Sequence, residues 1–318
     1  MWLVRYIPTE TKYEFMQWRR WSFPLSALLS VLCVLAFFAL GMNFGIDFRG
    51  GTLVELQSRE GPANLSAIRE EANTLGFGQV EVQEFGAPTD VSLRVQLQEA
   101  RDDLTEEQVQ QQVVADLRAA FEDAYEFRRV EVVGPRVSGE LVQSGTLGVV
   151  FAIFGVLVYL WFRFEWHFAV GAVIATLHDL VLTIGFFAIT QIEFNMTSIA
   201  AILTILGYSL NDTVVVYDRI RETLRKYKKL TIHQVLDAAI NATLSRTILT
   251  GVTTFLALIA LAILGGEIIK GFAYAMIFGL VVGTYSSVFI AAPILIYLGV
   301  RPSSEIADSE AAQAMAAE

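Results

Sequence analysis

Cysteine and histidine are nearly absent from this chain: 1 Cys and 3 His in 318 residues. The single cysteine, Cys33, lies inside an apolar run. No disulfide can form within the chain, and any part facing an oxidising compartment must hold together without one. His167 and His178 stand in no Cys/His/Asp spacing that would ligate a metal, and His178 reads as a packing or hydrogen-bonding residue. Basic residues are outnumbered, 23 Lys+Arg against 33 Asp+Glu, for a net charge of −10. That balance argues against nucleic acid as a partner. The one conspicuous glycine-rich stretch, Gly45–Thr52, lacks the strand–loop–Lys-Ser/Thr arrangement of a phosphate loop. Nothing in the chain calls for a cofactor or forms a catalytic constellation, so an enzyme is not expected.

Apolar residues are abundant instead, at 54% against roughly 45–50% in a soluble domain. They fall in uninterrupted runs near the length of a bilayer-spanning helix, which points to a multi-spanning membrane protein. The charge imbalance is local. Residues 44–140 hold 9 Lys+Arg and 19 Asp+Glu, which accounts for the whole net charge. A separate, acidic, water-exposed domain between membrane segments follows.

Residues 1–22 form a polar N-terminal segment ending in Arg19-Arg20-Trp21-Ser22. Residues 23–42 are the first apolar run. It is longer than a signal-peptide core, and no A-x-A-like site follows, so a retained span is expected. The stretch 43–140 is the acidic domain with its membrane connectors. Its strand-like segments are Leu53–Gln57, Gln79–Phe85, Ser92–Leu97 and Phe127–Val133; its helices are Asn64–Leu75 and Thr105–Phe121. Thr105 with Gln108 is a capping-box signature. The order β-α-β-β-α-β is ferredoxin-like. The acids of the domain read as a solvated surface.

Five further spans are expected at about 141–161, 168–189, 197–217, 243–264 and 271–298, followed by a tail over 299–318. The fold class is therefore a polytopic α-helical membrane protein with six transmembrane helices and one small α+β ferredoxin-like extracytoplasmic domain between helices 1 and 2. Arg219, Arg221, Arg225, Lys226, Lys228 and Lys229 crowd one loop, while Gln191–Met196 has no Lys or Arg. Positive-inside then places both termini and the basic loop in the cytoplasm.

Three ionisable residues fall inside these spans. Asp179 sits about 11 residues into the third, roughly 16 Å deep and near the midplane. Asp212 lies near the cytoplasmic end of the fourth, and Arg246 about one turn inside the fifth. Helical spacing aligns Thr204, Tyr208 and Asp212, with Asn211 adjacent. Thr243, Arg246, Thr247, Thr250 and Thr254 form a second polar stripe. Gly279, Gly283 and Ser287 repeat at the small-residue spacing that lets helices approach. A carboxylate in hydrocarbon costs about 2.5–3.5 kcal/mol on insertion scales, so Asp212 needs a partner or a task. Two readings stay open: a static Asp212–Arg246 ion pair that fixes packing, or a proton site with Arg246 as switchable partner. Asp179 has the same choice, with His178 or a threonine as neutralising neighbour.

The ordered motifs GIDFRGGT (Gly45–Thr52), VGPRVSGEL (Val133–Leu141), RFEWHFAVGAVIATLHD (Arg163–Asp179), EFNMTSIAAILTILGYSLNDTVVVYDRIRE (Glu193–Glu222), LSRTILT (Leu244–Thr250) and GTYSSVFIAAP (Gly283–Pro293) resemble the SecDF protein-export family of the resistance-nodulation-division superfamily. The resemblance implies a bacterial inner-membrane subunit that promotes late steps of translocation and is driven by the proton-motive force. It implies a SecD-like partner in a heterodimer, the SecYEG channel and a translocating unfolded polypeptide as further partners, and protons as the coupling ion. The family's proton-pathway Asp and Arg fall on Asp212 and Arg246. Two rivals stand beside it: a scaffold subunit whose ion pair is structural, and half of a small-molecule exporter of the same superfamily.

Overall fold

The computed structural model describes residues 11–78, 80–98 and 105–300, without the side chains at 267 and 268. The outer parts of the expected N-terminal segment and tail, residues 1–10 and 301–318, lie outside the described residues, as does position 79 of one expected strand.

Helix α1 (Arg19–Leu40) follows a 3-10 turn at Phe15–Trp18. After the acidic domain come α5 (Pro135–Arg163), α6 (Trp166–Thr190), α7 (Met196–Lys226) and α8 (Ile232–Leu264). Helix α9 (Gly266–Ser286) continues through a π-helical segment, Ser287–Ala291, into α10 (Ala292–Tyr297). Among the described residues six helical runs are long and apolar enough to cross a membrane, the last being Ile269–Tyr297.

Several helices run beyond the expected spans, α5 among them, which begins at Pro135 rather than about 141. Helix α7 runs on to Lys226, because its amphipathic end keeps Val216, Tyr217 and Ile220 buried. Helix α8 begins at Ile232, well before Thr243. Its start is a capping box: Thr231 Oγ1 accepts from Gln234 N and Gln234 Oε1 accepts from Thr231 N. The added turns bury Val235, Leu236, Ala239 and Ile240. They also anchor the entering chain, as Asn241 Oδ1 accepts from Tyr13 N (2.9 Å) and Asp237 Oδ1 accepts from Met16 N (2.9 Å).

The described chain divides into two compact units. One contains residues 43–149 and 193–199. Within it lie α2 (Ile46–Arg49), β1 (Gly51–Ser58), α3 (Leu65–Thr74), β2 (Val80–Phe85), β3 (Ala87–Val95), α4 (Glu106–Phe121) and β4 (Tyr125–Val133). The strands pair antiparallel in the order β2-β3-β1-β4, which is the ferredoxin-like arrangement. Val54, Leu56, Val91, Leu93 and Val95 meet Ile68 and Ala72 of α3 and Val113, Leu117 and Phe121 of α4 on one face. Strand alternation sends Glu55, Glu81, Arg94, Arg129 and Glu131 to the other. Gly51 must be glycine: its φ is +120° and a Cβ would lie 2.4 Å from the Val95 carbonyl oxygen.

The other unit is the helical bundle. Small residues let its helices close. A Cβ on Gly283 would lie 3.0 Å from Ser209 Cβ, and one on Gly279 would lie 2.4 Å from Ile205 Cγ1. Helix α9 therefore runs close against α7.

Candidate functional site: buried carboxylates in the bundle

Asp179 of α6 is fully buried, with 0% of its surface exposed. His178 Nδ1 lies 2.9 Å from its Oδ1. Ser209 of α7 and Ser286 of α9 both donate to Oδ2, the latter at 2.6 Å. Three helices thus converge on one carboxyl group. Asp212 of α7 is 7% exposed. It accepts from Thr247 Oγ1 of α8 at Oδ1 and from Ser287 Oγ of the π segment at Oδ2, each at 2.8 Å.

Consecutive serines, Ser286 and Ser287, therefore serve two different aspartates. Neighbouring side chains on a helix diverge by about 100°, so they reach partners on different helices. Both hydroxyls have a second outlet in their own helix: Ser286 Oγ to Gly283 O at 3.2 Å and Ser287 Oγ to Thr284 O at 3.0 Å. The π segment starts at Ser287, and side chains from other helices meet carbonyls within it. Tyr217 Oη donates to Ala291 O at 2.8 Å, and Ser22 Oγ donates to Phe289 O at 3.2 Å. A widened turn in a buried helix persists where such partners are supplied.

The Asp212–Arg246 ion pair, one of the two readings left open by the sequence, is not formed. Among the described residues no salt bridge joins them, and Arg246 lies on the exposed side of α8. The reason is helical phase. Thr247, one residue on, takes the inward position and satisfies Asp212, while Arg246 stays close enough to act on it only through space. Asn211 is likewise exposed, one residue off the inward face. Thr250 is exposed and bonds back to the Arg246 carbonyl at 2.9 Å. Tyr208 is half-buried and reaches Thr250 and Thr254 of α8. The structure thus brings Asp212 and Thr247 together, and Asp179 with His178, but leaves Arg246 and Asn211 outside the cluster. Ser209, Ser286 and Ser287 are the residues sequence reasoning missed in these roles. The repeat Gly279, Gly283, Ser287 was the available signal, since it points Ser287 into the seam.

Chemically, Asp212 is a carboxyl group held by hydroxyls alone, and Asp179 one held by two hydroxyls and an imidazole. A hydroxyl can donate to a carboxylate or accept from a carboxylic acid. Asp212 can therefore hold either protonation state without losing its hydrogen-bond partners. A guanidinium partner would not allow that.

Comparison with known proteins now adds an independent observation. Residues 112–301 match the family model for the protein export membrane protein SecD/SecF C-terminal region, and residues 35–61 match the SecD/SecF GG motif. The chain belongs to the SecD/SecF family of protein-export membrane proteins. It is 43% identical over 314 residues to the protein translocase subunit SecF of Cereibacter sphaeroides, covering 97% of this chain and 96% of that one. It is 42% identical over 292 residues to SecF of Rickettsia bellii, covering 92% and 95%. Against the SecDF subunit of Brucella abortus it is 45% identical over 98% of its length but spans only 41% of that longer chain. A crystal structure of SecDF from Thermus, described as translocon-associated, matches at TM-score 0.78 and 31% identity, over 94% of this chain and 39% of that one. A second SecDF structure, in a super-membrane-facing form, matches at TM-score 0.67. The chain is accordingly a multi-pass subunit of a Sec-pathway protein translocase, of the SecF type.

Proposed function

We propose that this SecF-type chain works with a SecD-type partner to couple the proton-motive force to late steps of protein translocation through the Sec channel, with Asp212 as the intramembrane proton site and Asp179 as a second one. The observation that carries the reading is the hydroxyl-only cage around Asp212. A titrating group must be stable charged and neutral, and hydroxyls that reverse their role provide that. Arg246 acts through space as the movable cation. Proton occupancy changes which hydroxyls donate across the α7–α8–α9 seam, and that biases the bundle between two packings. One charge moved through 100 mV supplies about 2.3 kcal/mol, enough to shift such an equilibrium by tens of fold.

The partner reading rests on polar exposure. Thr204, Asn211, Arg246 and Thr250 lie on the exposed sides of α7 and α8, and such groups are costly against lipid. A SecD-type helix bundle covers them, which accords with the single longer chains of the SecDF relatives. The orientation we assign has both termini in the cytoplasm and the ferredoxin-like domain on the outer face of the inner membrane, where it meets the emerging polypeptide.

The test is Asp212→Asn in the assembled complex. Asparagine keeps the shape and an acceptor for Thr247 but cannot titrate. The expected result is normal assembly with secretion reduced to the level seen after the proton gradient is collapsed. Full proton-stimulated secretion by this variant overturns the assignment.

A further inference from the structure

The charged face of the small sheet holds a cluster with no part in the chemistry above. Arg94, in the middle of β3, is 9% exposed, which is rare for an arginine without a task. Its Nη2 meets Glu193 Oε2 at 3.1 Å, and its Nη1 donates to the Phe44 carbonyl at 3.1 Å and to Glu81 at 3.4 Å. Glu193 lies in the segment just before α7. That segment is bound again by backbone: Gly45 N donates to Phe194 O (2.8 Å) and Phe194 N to Asn43 O (2.7 Å), as a one-residue parallel bridge. Phe48 stacks on Phe194 at 5.6 Å. Finally Asp47 Oδ2 accepts from Met196 N at 2.9 Å, the first amide of α7. Gly45 is fitted to the contact, since a Cβ there would lie 2.5 Å from Glu193 Oε1.

We propose that Asp47, Arg94 and Glu193 form a clasp that fastens the ferredoxin-like domain to the first turn of α7, and that they are positioning residues for the proton-linked step. The physical case has three parts. Arg94 bridges a strand of the sheet, the chain leaving α1 and the chain entering α7, so one side chain ties three segments with charge-assisted bonds. Asp47 occupies the N-terminus of α7, where an anionic acceptor satisfies an orphan N–H and the helix dipole together. Helix α7 is unbroken from Met196 to Lys226, so the clasp holds the first turn of the same helix that carries Asp212. The glycine-rich stretch supplies Asp47 and the close-packed Gly45 to the clasp. Gly45–Thr52 is then a docking device rather than a plain turn.

This inference rests on the proton-site reading for its functional half, so two readouts are needed. Hydrogen exchange over residues 193–199 reports the clasp, and proton-stimulated secretion by the assembled complex reports the step. Arg94→Gln, Glu193→Gln and the double variant are compared, alongside Asp47→Ala and Asp47→Asn. Each clasp variant except Asp47→Asn should speed exchange over residues 193–199 by about tenfold to a hundredfold, the range for losing a charge-assisted hydrogen bond, and should lower secretion. The double variant should be no worse than Arg94→Gln alone, because the pair acts as a unit. Asp47→Asn keeps an acceptor and should restore most of both. Asp212→Asn, run in parallel, should lose secretion with exchange over residues 193–199 unchanged. Unchanged exchange in Arg94→Gln and Asp47→Ala overturns the clasp. Faster exchange with unaltered secretion overturns its positioning role. Full secretion by Asp212→Asn instead overturns the proton site, independently of the exchange data.

Discussion

The two aspartates differ in what surrounds them, and their variants should differ accordingly. Asp179 has no exposed surface and takes hydrogen bonds from two serines beside a histidine. Asp212 has two hydroxyls only. Removing one donor from a buried carboxylate costs about 1.5–3 kcal/mol. Thr247→Ala and Ser287→Ala should each lower the stability of the purified complex by that order, read from thermal unfolding. Their combination should be non-additive, because both act on one carboxyl group. Glu193, in the loop between α6 and α7, gives a pH prediction. Burial pushes its carboxyl up from the ordinary range, against the opposing pull of Arg94, with Asp47 and Glu131 adding to the rise and Arg129 opposing it. A carboxyl raised on folding binds its proton more tightly in the native state. Its contribution to stability is present at low pH and is lost as pH rises from the ordinary carboxylate range through the raised value. Thermal unfolding of the full chain across pH 4 to 7 should show this slope, and Glu193→Gln should remove it.

At the scale of elements, glycines and caps decide more than hydrophobicity does. Gly51 carries a φ of +120° beneath the Val95 carbonyl. Gly51→Ala should destabilise the β1–β3 pairing by more than about 1–2 kcal/mol, the cost of the backbone conformation alone, with the steric clash in addition. Thermal unfolding of the chain checks it. The strands and helices of the acidic domain were legible from period-2 and period-3.6 patterning, and the Thr105–Gln108 capping box is present in the structure. Strand β3 starts at Ala87, earlier than Ser92, because Asp90 and Val91 still pair with Gln57 and Leu56 of β1. Helix α8 begins well before the expected span at about 243, and Thr231 with Gln234 carries the same signature as Thr105 with Gln108. Its first turns are mixed in polarity, and only their packing against other elements shows Val235, Leu236, Ala239 and Ile240 to be buried.

For the whole molecule, the exposed polar edge of α7 and α8 sets the expectation that the chain does not work alone. A cysteine placed at Asn211, combined with one introduced on a facing helix of the SecD-type partner, should give a bismaleimide cross-link in the membrane. A cysteine at Phe162, exposed at the end of α5, serves as the comparison site. Cross-linking at Phe162 alone would place the partner elsewhere. Lipid offers no acceptor to a guanidinium at Arg246, and the proposed partner is expected to supply acceptors or a water path there.

The class of molecule is legible in the chain before it folds: six apolar runs, one acidic insert with alternating strands, and carboxylates where hydrocarbon forbids idle ones. Those features depend on composition and short-range periodicity, which a single chain displays openly. Which side chains meet is settled by packing. Asp212 faces Thr247 and Ser287 rather than Arg246, because helix phase and a π-helical turn at Ser287, set by packing, choose between neighbouring residues 100° apart. Arg94, Glu193 and Asp47 lie far apart along the chain and carry no shared motif spacing. Their meeting depends on the sheet's register and the return of the chain at Phe194, and both are non-local.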